Sequence, residues 1–490
     1  MSDKKRRGYE GPLEKVNDCC WRIPKSYKQG MRVDGLIYAD ESLLKSIRKD
    51  PAPEQVANVA FLPGIQQASL AMPDIHWGYG FPIGGVCATD PLDGGVISPG
   101  GVGYDINCGV RLMRTDFTYR EIKDKMPKLM DQLFADIPAG TGREGKYHFN
   151  NKQLLELLGK GVSYLRGRNW ATDLDIEHTE ALGCLEDAIP EYVSQRALSR
   201  GAKQCGTLGS GNHFLEVQIV DSVFDDVAAR VMGLEKDQVC VMIHSGSRGL
   251  GYQVCDDALK SLRGAPERYG IELPDRQLAC APIDSPEGDE YLGAMCAAAN
   301  FAWCNRQLLM HQARESFQKI FGRNWEQMGM ELVYDVAHNI AKLERHTING
   351  RDRRVWVHRK GATRAFPAGH PETPAAYQQI GQPVLIPGDM GRASWVLAGQ
   401  PGSMQQTFGT CCHGAGRKMS RTAAVKHAQG RDIGRELQQM GVLARARSWR
   451  GLAEEQPDAY KDVNMVVDVV HQANLASKVA RMKPIGVVKG

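Results

Sequence analysis

The stretch VCVMIHSGSRGLG, residues 239–251, begins as an apolar run rich in β-branched side chains and ends in a glycine-rich loop, with His244 at the junction. Such a run is typical of a buried β-strand. The same order recurs in ELVYDVAH, residues 331–338, where His338 closes the run. Two further predicted strands are VWVH (355–358) and PVLI (383–386).

Helical periodicity occupies other parts of the chain. Residues 121–137, 151–165 and 290–321 carry apolar side chains at helical spacing, although Gly159 and Gly161 weaken the second stretch. Strands and helices interleave irregularly, without the regular strand–helix–strand period of a doubly wound sheet. The sequence therefore predicts an α+β fold with mixed β-sheets and surrounding helices.

The composition is that of an ordinary globular protein. The chain has 490 residues, of which 42% are hydrophobic and 24% charged. No apolar run approaches the roughly 18 residues of a membrane-spanning helix. The N-terminus, MSDKKRRGYEG, lacks the apolar segment of a signal peptide. We therefore expect a cytoplasmic protein whose 13 cysteines are mostly buried thiols.

The net charge gives no general signal for nucleic-acid binding. Lys and Arg number 61 and Asp and Glu 57, a surplus of four. A polyanion site must therefore come from local clusters. One is the N-terminal tail, with Lys4, Lys5, Arg6 and Arg7. The other is HGAGRKMSRTAAVKH (413–427), where the four-residue spacing of Arg417 and Arg421 predicts one shared helical face.

Glycine is enriched and clustered. It makes up 53 of the 490 residues, against a usual proportion of about 7%. The clusters are HWGYGFPIGG (76–85), SPGGVGYDINCG (98–109), GTLGSGNH (206–213), HSGSRGLG (244–251), PGDMG (387–391) and HGAG (413–416). Tight turns would explain the glycines, but not the His, Asp and Cys residues that most of these loops enclose. Because glycine lets a backbone approach a ligand closely, we expect the loops to assemble one site.

Five residues in or beside these loops are candidate metal ligands: Asp105, Cys108, His213, His244 and His338. Thiolate and imidazole suit zinc, but a carboxylate broadens the choice to manganese, iron or cobalt. Five ligands exceed the needs of one tetrahedral zinc ion. They would serve two ions if the thiolate bridged them.

The segment FGTCCHGAGRKMS, residues 408–420, resembles a Walker A loop only superficially, because Ala415 stands where the motif requires lysine. No G-x-G-x-x-G motif follows a convincing strand. Neither a P-loop NTPase nor a Rossmann enzyme is supported. His413 precedes a glycine-rich turn and a basic segment, so either a nucleophile toward phosphorus or a turn-capping histidine fits this position.

Six motifs together resemble the RtcB family of RNA-splicing ligases. They are SPGGVGYDINCGVRL, GTLGSGNHFLE, VMIHSGSRGLG, YDVAHNIAK, VHRKGATRAFP and GTCCHGAGR. The resemblance runs from about Trp21 to the terminal VVKG, and it implies one large catalytic domain over residues 21–490 behind a basic tail, residues 1–20. It also implies two Mn²⁺ ions, GTP, and the joining of RNA 2′,3′-cyclic phosphate or 3′-phosphate ends to 5′-hydroxyl ends, in tRNA splicing or RNA repair.

The resemblance assigns roles to individual residues. Cys108 resembles the thiolate that bridges both ions, with Asp105 and His213 completing one site and His244 and His338 the other. His413 resembles the nucleophile that becomes guanylylated. Matching the nucleotide-binding stretches are Asn212, His213, Phe214, Leu215, Glu216, His338, Asn339, Pro387, Gly388, Asp389, Met390, Ser394, His413, Gly414, Ala415, Gly416 and Lys489.

Two further expectations concern specificity. Glu216 resembles the carboxylate that reads guanine. On charge and loop position, the candidates for RNA phosphates are Arg248, Lys360, Arg364, Arg417 and Arg421.

The alternatives to a ligase are a metal-dependent phosphohydrolase or nuclease acting on RNA ends, and a non-catalytic RNA-binding protein. The natural RNA, and the need for an archease-type activator, stay open.

Overall fold

A computed structural model describes residues 8–490, and Lys4, Lys5, Arg6 and Arg7 of the predicted tail lie outside this range. The strands are β1 (Glu14–Asn17), β2 (Cys20–Ile23), β3 (Asp34–Tyr38), β4 (Ala68–His76), β5 (Ile83–Thr89), β6 (Val96–Ile97), β7 (Gly109–Thr118), β8 (Phe214–Val223), β9 (Gln238–Ser245), β10 (Ala281–Pro282), β11 (Leu332–Ala337), β12 (Asn339–Ile348), β13 (Arg351–Lys360), β14 (Ala362–Arg364), β15 (Pro383–Ile386), β16 (Ser394–Gly399), β17 (Thr410–Cys412), β18 (Leu443–Ala446) and β19 (Ala476–Lys489).

The α-helices are α1 (Glu41–Ile47), α2 (Ala52–Val59), α3 (Tyr119–Ile122), α4 (Met126–Asp136), α5 (Asn151–Lys160), α6 (Val162–Arg166), α7 (Asp173–Glu177), α8 (Gln195–Gly201), α9 (Asp226–Val231), α10 (Arg248–Ser261), α11 (Ala265–Arg268), α12 (Pro286–Phe321), α13 (Pro401–Gln406), α14 (Arg421–His427), α15 (Ile433–Gln439), α16 (Trp449–Glu454) and α17 (Val463–Gln472). None of the helices within residues 8–490 combines the length and apolar character needed to cross a bilayer.

Two large sheets organise these elements. One has the strand order β1-β2-β3-β4-β5-β13-β12, and the other β11-β7-β9-β8-β19-β16-β15, with β18 also paired to β19. Most pairs are antiparallel, but β3 runs parallel to β4 and β18 parallel to β19. The sheets are therefore mixed and helices pack around them, which confirms the predicted α+β fold.

The helix predicted over residues 290–321 is confirmed as the C-terminal part of α12. The helix begins four residues earlier because Pro286 occupies its first turn and the Ser285 side chain accepts from the Gly288 N–H. It ends at Gly322, which has a φ of 70°. Along its length it buries Trp303, Leu308 and their neighbours in a large apolar core.

The other two predicted helices are interrupted. Residues 151–165 divide into α5 and α6 at Gly161, which has a φ of 56° that residues with a side chain rarely adopt. Residues 121–137 divide into α3 and α4 before Pro127. At the N-terminus, Glu14–Asn17 pairs with β2 at the sheet edge, so this part of the predicted tail belongs to the fold. The domain boundary at residue 20 stays a prediction.

Strand pairing explains why distant glycine-rich loops meet. Gly109, at the start of β7, pairs with Ser245 of β9 on one side and with Ala337 of β11 on the other. Strand β8 begins opposite His244. The loops that precede β7 and β8 and follow β9 and β11 therefore lie at one end of the eight-stranded sheet.

A buried arginine fixes these loop ends to α12. Arg306 donates to both oxygens of Asp335, at 2.7 and 2.9 Å, and to the main-chain oxygens of Asn107 and Ser245, at 2.7 and 3.0 Å. Asp335 also accepts from Arg111 at 2.7 Å. All three charged side chains are fully buried, and their pairing compensates for the loss of water.

Candidate active site

The five predicted metal ligands converge at this end of the sheet. They form two groups, Cys108 with His244 and His338, and Cys108 with Asp105 and His213, and within each group the donor atoms all lie within 4.8 Å of one another. Cys108 belongs to both groups. Its thiol therefore has the position that a bridging ligand between two ions requires.

The donor atoms face one another closely. Cys108 Sγ lies 3.2 Å from His244 Nε2 and 3.4 Å from His213 Nε2, and His244 Nε2 lies 3.2 Å from His338 Nε2. Asp105 Oδ2 lies 2.8 Å from His213 Nε2. Main-chain pairing holds Cys108 beside His338, because the His338 N–H donates to the Cys108 carbonyl at 2.9 Å.

The protonation states of these side chains suit metal binding. Burial lowers the pKa values of His213, His244 and His338, in the last two well below the ordinary value, so these imidazoles are neutral. Burial opposes ionisation of Asp105, but the neighbouring His213 and Arg248 outweigh it and lower the carboxyl pKa to about 2. Neutral imidazoles, a thiol and a carboxylate that converge in a buried site fit divalent metal ions.

His413 lies beside the second group, directly after β17. Its ring centre is 5.0 Å from that of His338. Its Nδ1 lies 2.5 Å from Oδ2 of Asp74, a fully buried residue of β4. The same carboxylate oxygen accepts from the main-chain N–H groups of His413 and Gly414, at 3.0 and 3.2 Å. Asp74 therefore fixes both the ring and the turn that carries it.

Asp74 was not among the residues predicted from the sequence. The only local signal is an acidic residue inside the apolar strand ASLAMPDIH, residues 68–76. Its partner is 339 positions away, so spacing could not reveal the pair. Lys461 supports the strand by donating to the carbonyls of Pro73 and Ile75, at 3.2 and 2.6 Å.

A cavity of about 400 Å³ opens onto His413 and both ligand groups. Most residues predicted to touch a nucleotide line it: Asn212, Phe214, Glu216, His338, Asn339, Pro387, Gly388, Asp389, Met390, His413, Gly414, Ala415, Gly416 and Lys489. Leu215 does not, because alternate residues of β8 face opposite sides and its side chain packs into an apolar core. Ser394 lies behind the lining, where its Oγ accepts from the Gly388 N–H at 3.3 Å.

Glu216 contributes a buried acid to this cavity. Its Oε2 accepts from the Gln218 amide at 2.7 Å. Burial raises the pKa of Glu216 to about 8, with a further increase from Asp389 and a partial offset from Lys489. The Lys489 ammonium donates to the carbonyls of Gly211 and His213, at 2.6 and 3.1 Å, so the last strand closes one side of the cavity.

We expect Glu216→Gln to change how stability depends on pH. Folded Glu216 keeps its proton up to about pH 8, whereas the unfolded side chain releases it near its ordinary pKa of about 4.3. Between these values the folded state binds the extra proton, so the wild type loses stability as pH rises, by up to about 1.4 kcal/mol per pH unit. The variant lacks this loss. Urea unfolding of the metal-free proteins across that range measures the difference.

The matched control for this experiment is Glu235→Gln, since Glu235 is an exposed glutamate outside the cavity. It gives the baseline for replacing a carboxyl with an amide away from the cavity. If the Glu216→Gln difference, measured against this baseline, were independent of pH, Glu216 would titrate in the folded protein as it does in the unfolded chain.

The predicted RNA-binding residues separate into two sets. Lys360, Arg417 and Arg421 line the cavity, whereas Arg248 and Arg364 do not. Burial lowers the pKa of Lys360 to about 7, and its ammonium donates to the Tyr79 carbonyl at 2.5 Å. Arg248 instead contacts a predicted metal ligand, because its Nη1 lies 3.3 Å from His213 Nδ1.

Arg364 is buried beside the candidate site. Its side chain is 1% exposed, and its guanidinium donates to Gln382 and Glu372 at 3.0 and 2.6 Å. It lies on β14, a strand that pairs with β17, the strand immediately before His413. Arg364 therefore has protein partners and does not line the cavity, and its contact with RNA stays a prediction.

The shared helical face of Arg417 and Arg421 is a correction to the sequence analysis. Helix α14 begins at Arg421, so Arg417 lies in the preceding loop. The two guanidinium groups still converge, because both contact the buried Glu455 carboxylate, at 2.9 and 3.3 Å. Arg417 also lies over the ring of Tyr460, 4.9 Å from its centre. Glu455 and Tyr460 line the cavity and had no motif that marked them.

Comparisons with known proteins agree with this arrangement. A family model described as tRNA-splicing ligase RtcB matches residues 55–490. The chain is 54% identical over 479 residues to the tRNA-splicing ligase RtcB of Thermococcus kodakarensis, covering 98% of this chain and 99% of that protein. The proteins of the same name from Archaeoglobus fulgidus and Methanococcus maripaludis are 53% and 51% identical over 481 and 478 residues, with 98% of this chain and 99% of each relative covered.

Proposed function

This chain belongs to the RtcB family, as its sequence motifs predicted, and on that basis we propose that it is a GTP- and Mn²⁺-dependent RNA ligase. It joins RNA ends that carry a 2′,3′-cyclic phosphate or a 3′-phosphate to 5′-hydroxyl ends. The name of its relatives, tRNA-splicing ligase RtcB, supports both the class of reaction and an RNA substrate. Split tRNA exons and cleaved RNAs in need of repair have the same end chemistry.

One observation carries the proposal: His413 shares a cavity with a metal-ligand cluster centred on a thiol. Asp74 lies against Nδ1 of the imidazole, so Nε2 is the nitrogen available to attack phosphorus. The carboxylate also stabilises the positive charge that the ring gains as it forms a bond. A histidine that only capped a turn would not require this buried acid.

The residues present fit two manganese ions. Asp105, Cys108 and His213 would hold one ion, and Cys108, His244 and His338 the other. Bound divalent ions offset the negative charge of the phosphates and polarise their oxygens. Carboxylate and imidazole suit manganese, and the shared thiolate would raise the affinity for softer ions as well.

The chain's own residues account for the order of bond changes. His413 Nε2 attacks the α-phosphorus of GTP and pyrophosphate leaves, so the histidine carries GMP. The GMP then passes to the RNA 3′-phosphate, which gains a leaving group. The 5′-hydroxyl attacks that phosphate and GMP departs. A cyclic end is first hydrolysed to the 3′-phosphate. Lys360, Arg417 and Arg421 line the cavity and offset the charge of the RNA phosphates.

Glu216 would select guanine. Burial alone keeps Glu216 protonated up to about pH 8, but the N1–H and N2–H₂ groups of guanine would donate to both of its oxygens and so stabilise the ionised carboxylate. Adenine presents an acceptor at N1 and would give no such stabilisation. The buried position of Glu216 beside Asn212 and Lys489 supports this role. Because a wrong base would leave the buried acid unpaired, such a site discriminates by orders of magnitude.

Incubation with GTP labelled at the α-phosphate separates this proposal from the main alternative. The ligase should acquire acid-labile, Mn²⁺-dependent label and join an RNA with a 3′-phosphate to one with a 5′-hydroxyl. A metal-dependent phosphohydrolase or nuclease would release phosphate or shorten the RNA without taking up label. The metal ligands alone suit either enzyme, whereas the Asp74–His413 pair favours the ligase.

We place the reaction in the cytoplasm, where a metal-binding thiol stays reduced. All 13 cysteines, which lie within the described residues, are free thiols. An activator of the archease type is the partner that the family resemblance implies. Ligation of more than one equivalent of RNA by the purified chain alone would show that no such activator is required.

A further inference from the structure

Three tyrosines from separate parts of the chain form a row at the rim of the cavity. Tyr79 and Tyr104 line the cavity, and Tyr252, on α10, is 48% exposed. The Tyr104 and Tyr252 rings stack, with centres 4.8 Å apart and planes at 24°. Tyr79 extends the row, since its ring centre is 5.8 Å from that of Tyr104, with the planes at 67°. The row therefore joins one exposed ring to two rings that line the cavity.

The outer end of this row, Tyr252, is largely open to solvent. Among the described residues, the hydroxyl of Tyr252 has no hydrogen-bond partner, and its ring keeps almost half of its surface in water. The Arg200 guanidinium lies over the ring, 5.5 Å from its centre, and is held there because its Nη1 donates to Gln253 at 2.9 Å. An exposed aromatic ring next to a cation is the combination that binds an unpaired nucleotide.

The position of Tyr104 connects this row to the chemistry. It precedes Asp105, a member of the first metal-ligand group. Lys360 holds the neighbouring loop by donating to the carbonyls of Tyr79 and Phe81. A base stacked on Tyr252 would therefore be linked, through the Tyr252 and Tyr104 rings, to the backbone beside Asp105.

We propose that Tyr252, supported by Tyr104, is a stacking platform for the unpaired base of an RNA end. The inference rests on the proposed ligase function and adds a substrate feature to it: single-stranded nucleotides at the junction. Every base has a π face, so stacking holds ends of any sequence in place. The platform would position a terminal nucleotide while Lys360, Arg417 and Arg421 meet its phosphates.

The first test measures binding of a short, fluorescently labelled single-stranded RNA with a 3′-phosphate by anisotropy. Tyr252→Ala should weaken binding about tenfold, because stacking on one aromatic ring contributes that much or more. Tyr252→Phe keeps the ring and should bind as the wild type does. Tyr119→Ala is the matched control, since Tyr119 is 40% exposed and does not line the cavity. Equal affinity of Tyr252→Ala and wild type would overturn the proposal.

The second test identifies the base that stacks. Removing the terminal base of the 3′-phosphate RNA, or the first base of the 5′-hydroxyl RNA, should weaken binding of one of these strands to the wild type, but not further to Tyr252→Ala. Such non-additivity marks direct contact and tells the two ends apart. Additive losses for both strands would overturn the platform.

Uptake of GMP label without RNA, measured on the same preparations, separates failure of the Tyr252 platform from failure of the proposed ligase function. If wild-type protein takes up label and ligates RNA while the tyrosine and base changes have no effect on binding, only the platform is wrong. If wild-type protein with manganese neither takes up label nor ligates, the proposed function fails first.

Discussion

His413→Ala should take up no covalent GMP and should ligate 3′-phosphate RNA on the order of 10⁶-fold more slowly than wild type, as expected when a nucleophile is removed. The reason is geometric. Nδ1 of His413 faces Asp74, Nε2 is left for phosphorus, and the ring lies 5.0 Å from that of His338. Manganese and GTP should still bind, because the ligand groups and Glu216 belong to other segments, namely Glu216 to β8, His244 to β9 and the remaining ligands to loops.

The measurement is acid-labile label from GTP together with elemental analysis of bound manganese. The matched control is His471→Ala, an exposed histidine of α17, which should behave as the wild type. Persistent label in His413→Ala would show that another residue carries GMP.

A pre-activated RNA tests whether His413 is needed after GMP has been transferred to the RNA. RNA whose 3′-phosphate already carries GMP should still be ligated, at least partly, by His413→Ala. The histidine has transferred its nucleotide before the 5′-hydroxyl attacks. Complete loss with that substrate, in protein whose metals are shown to be present, would mean that His413 also acts in the final step.

The sequence indicated the metal cluster because its ligands follow a local rule. His244 and His338 each close an apolar strand, and antiparallel neighbours bring the ends of those strands together. A different local signal marked Asp105 and Cys108, because only two residues separate them in DINC and one tight turn can direct both side chains to the same ion. No periodicity specified which strands would be neighbours, so the expected convergence rested on the glycine and ionisable residues of the loops and on the family resemblance.

Residues that act across long separations were harder to predict. Asp74 reaches His413 from another sheet, and Glu455 joins Arg417 to Arg421 although they are not on one helix. Arg364 has the charge of an RNA-binding residue, yet it is buried and its guanidinium donates to Glu372 and Gln382. Charge and spacing therefore predict candidates, while burial and the identity of the partner decide what each one does.

Cys108→Ala should lose more metal and more activity than His244→Ala, because Cys108 alone belongs to both ligand groups. His244→Ala leaves Asp105, Cys108 and His213 in place, so we expect it to retain one ion. In Cys108→Ala each group keeps only two ligands. Loss of a shared ligand should therefore deplete both ions, whereas loss of a terminal ligand depletes one.

The test counts manganese per chain in wild type and in both variants. Cys240→Ala is the matched control, because Cys240 is equally buried, lies on the same strand as His244 and belongs to neither group. It should lose some packing but no metal. Full occupancy in Cys108→Ala would exclude a bridging thiolate. Depletion of one ion by Cys108→Ala would assign the thiol to a single site, and the close contacts of Sγ with His213 and His244 would then reflect packing and not shared coordination.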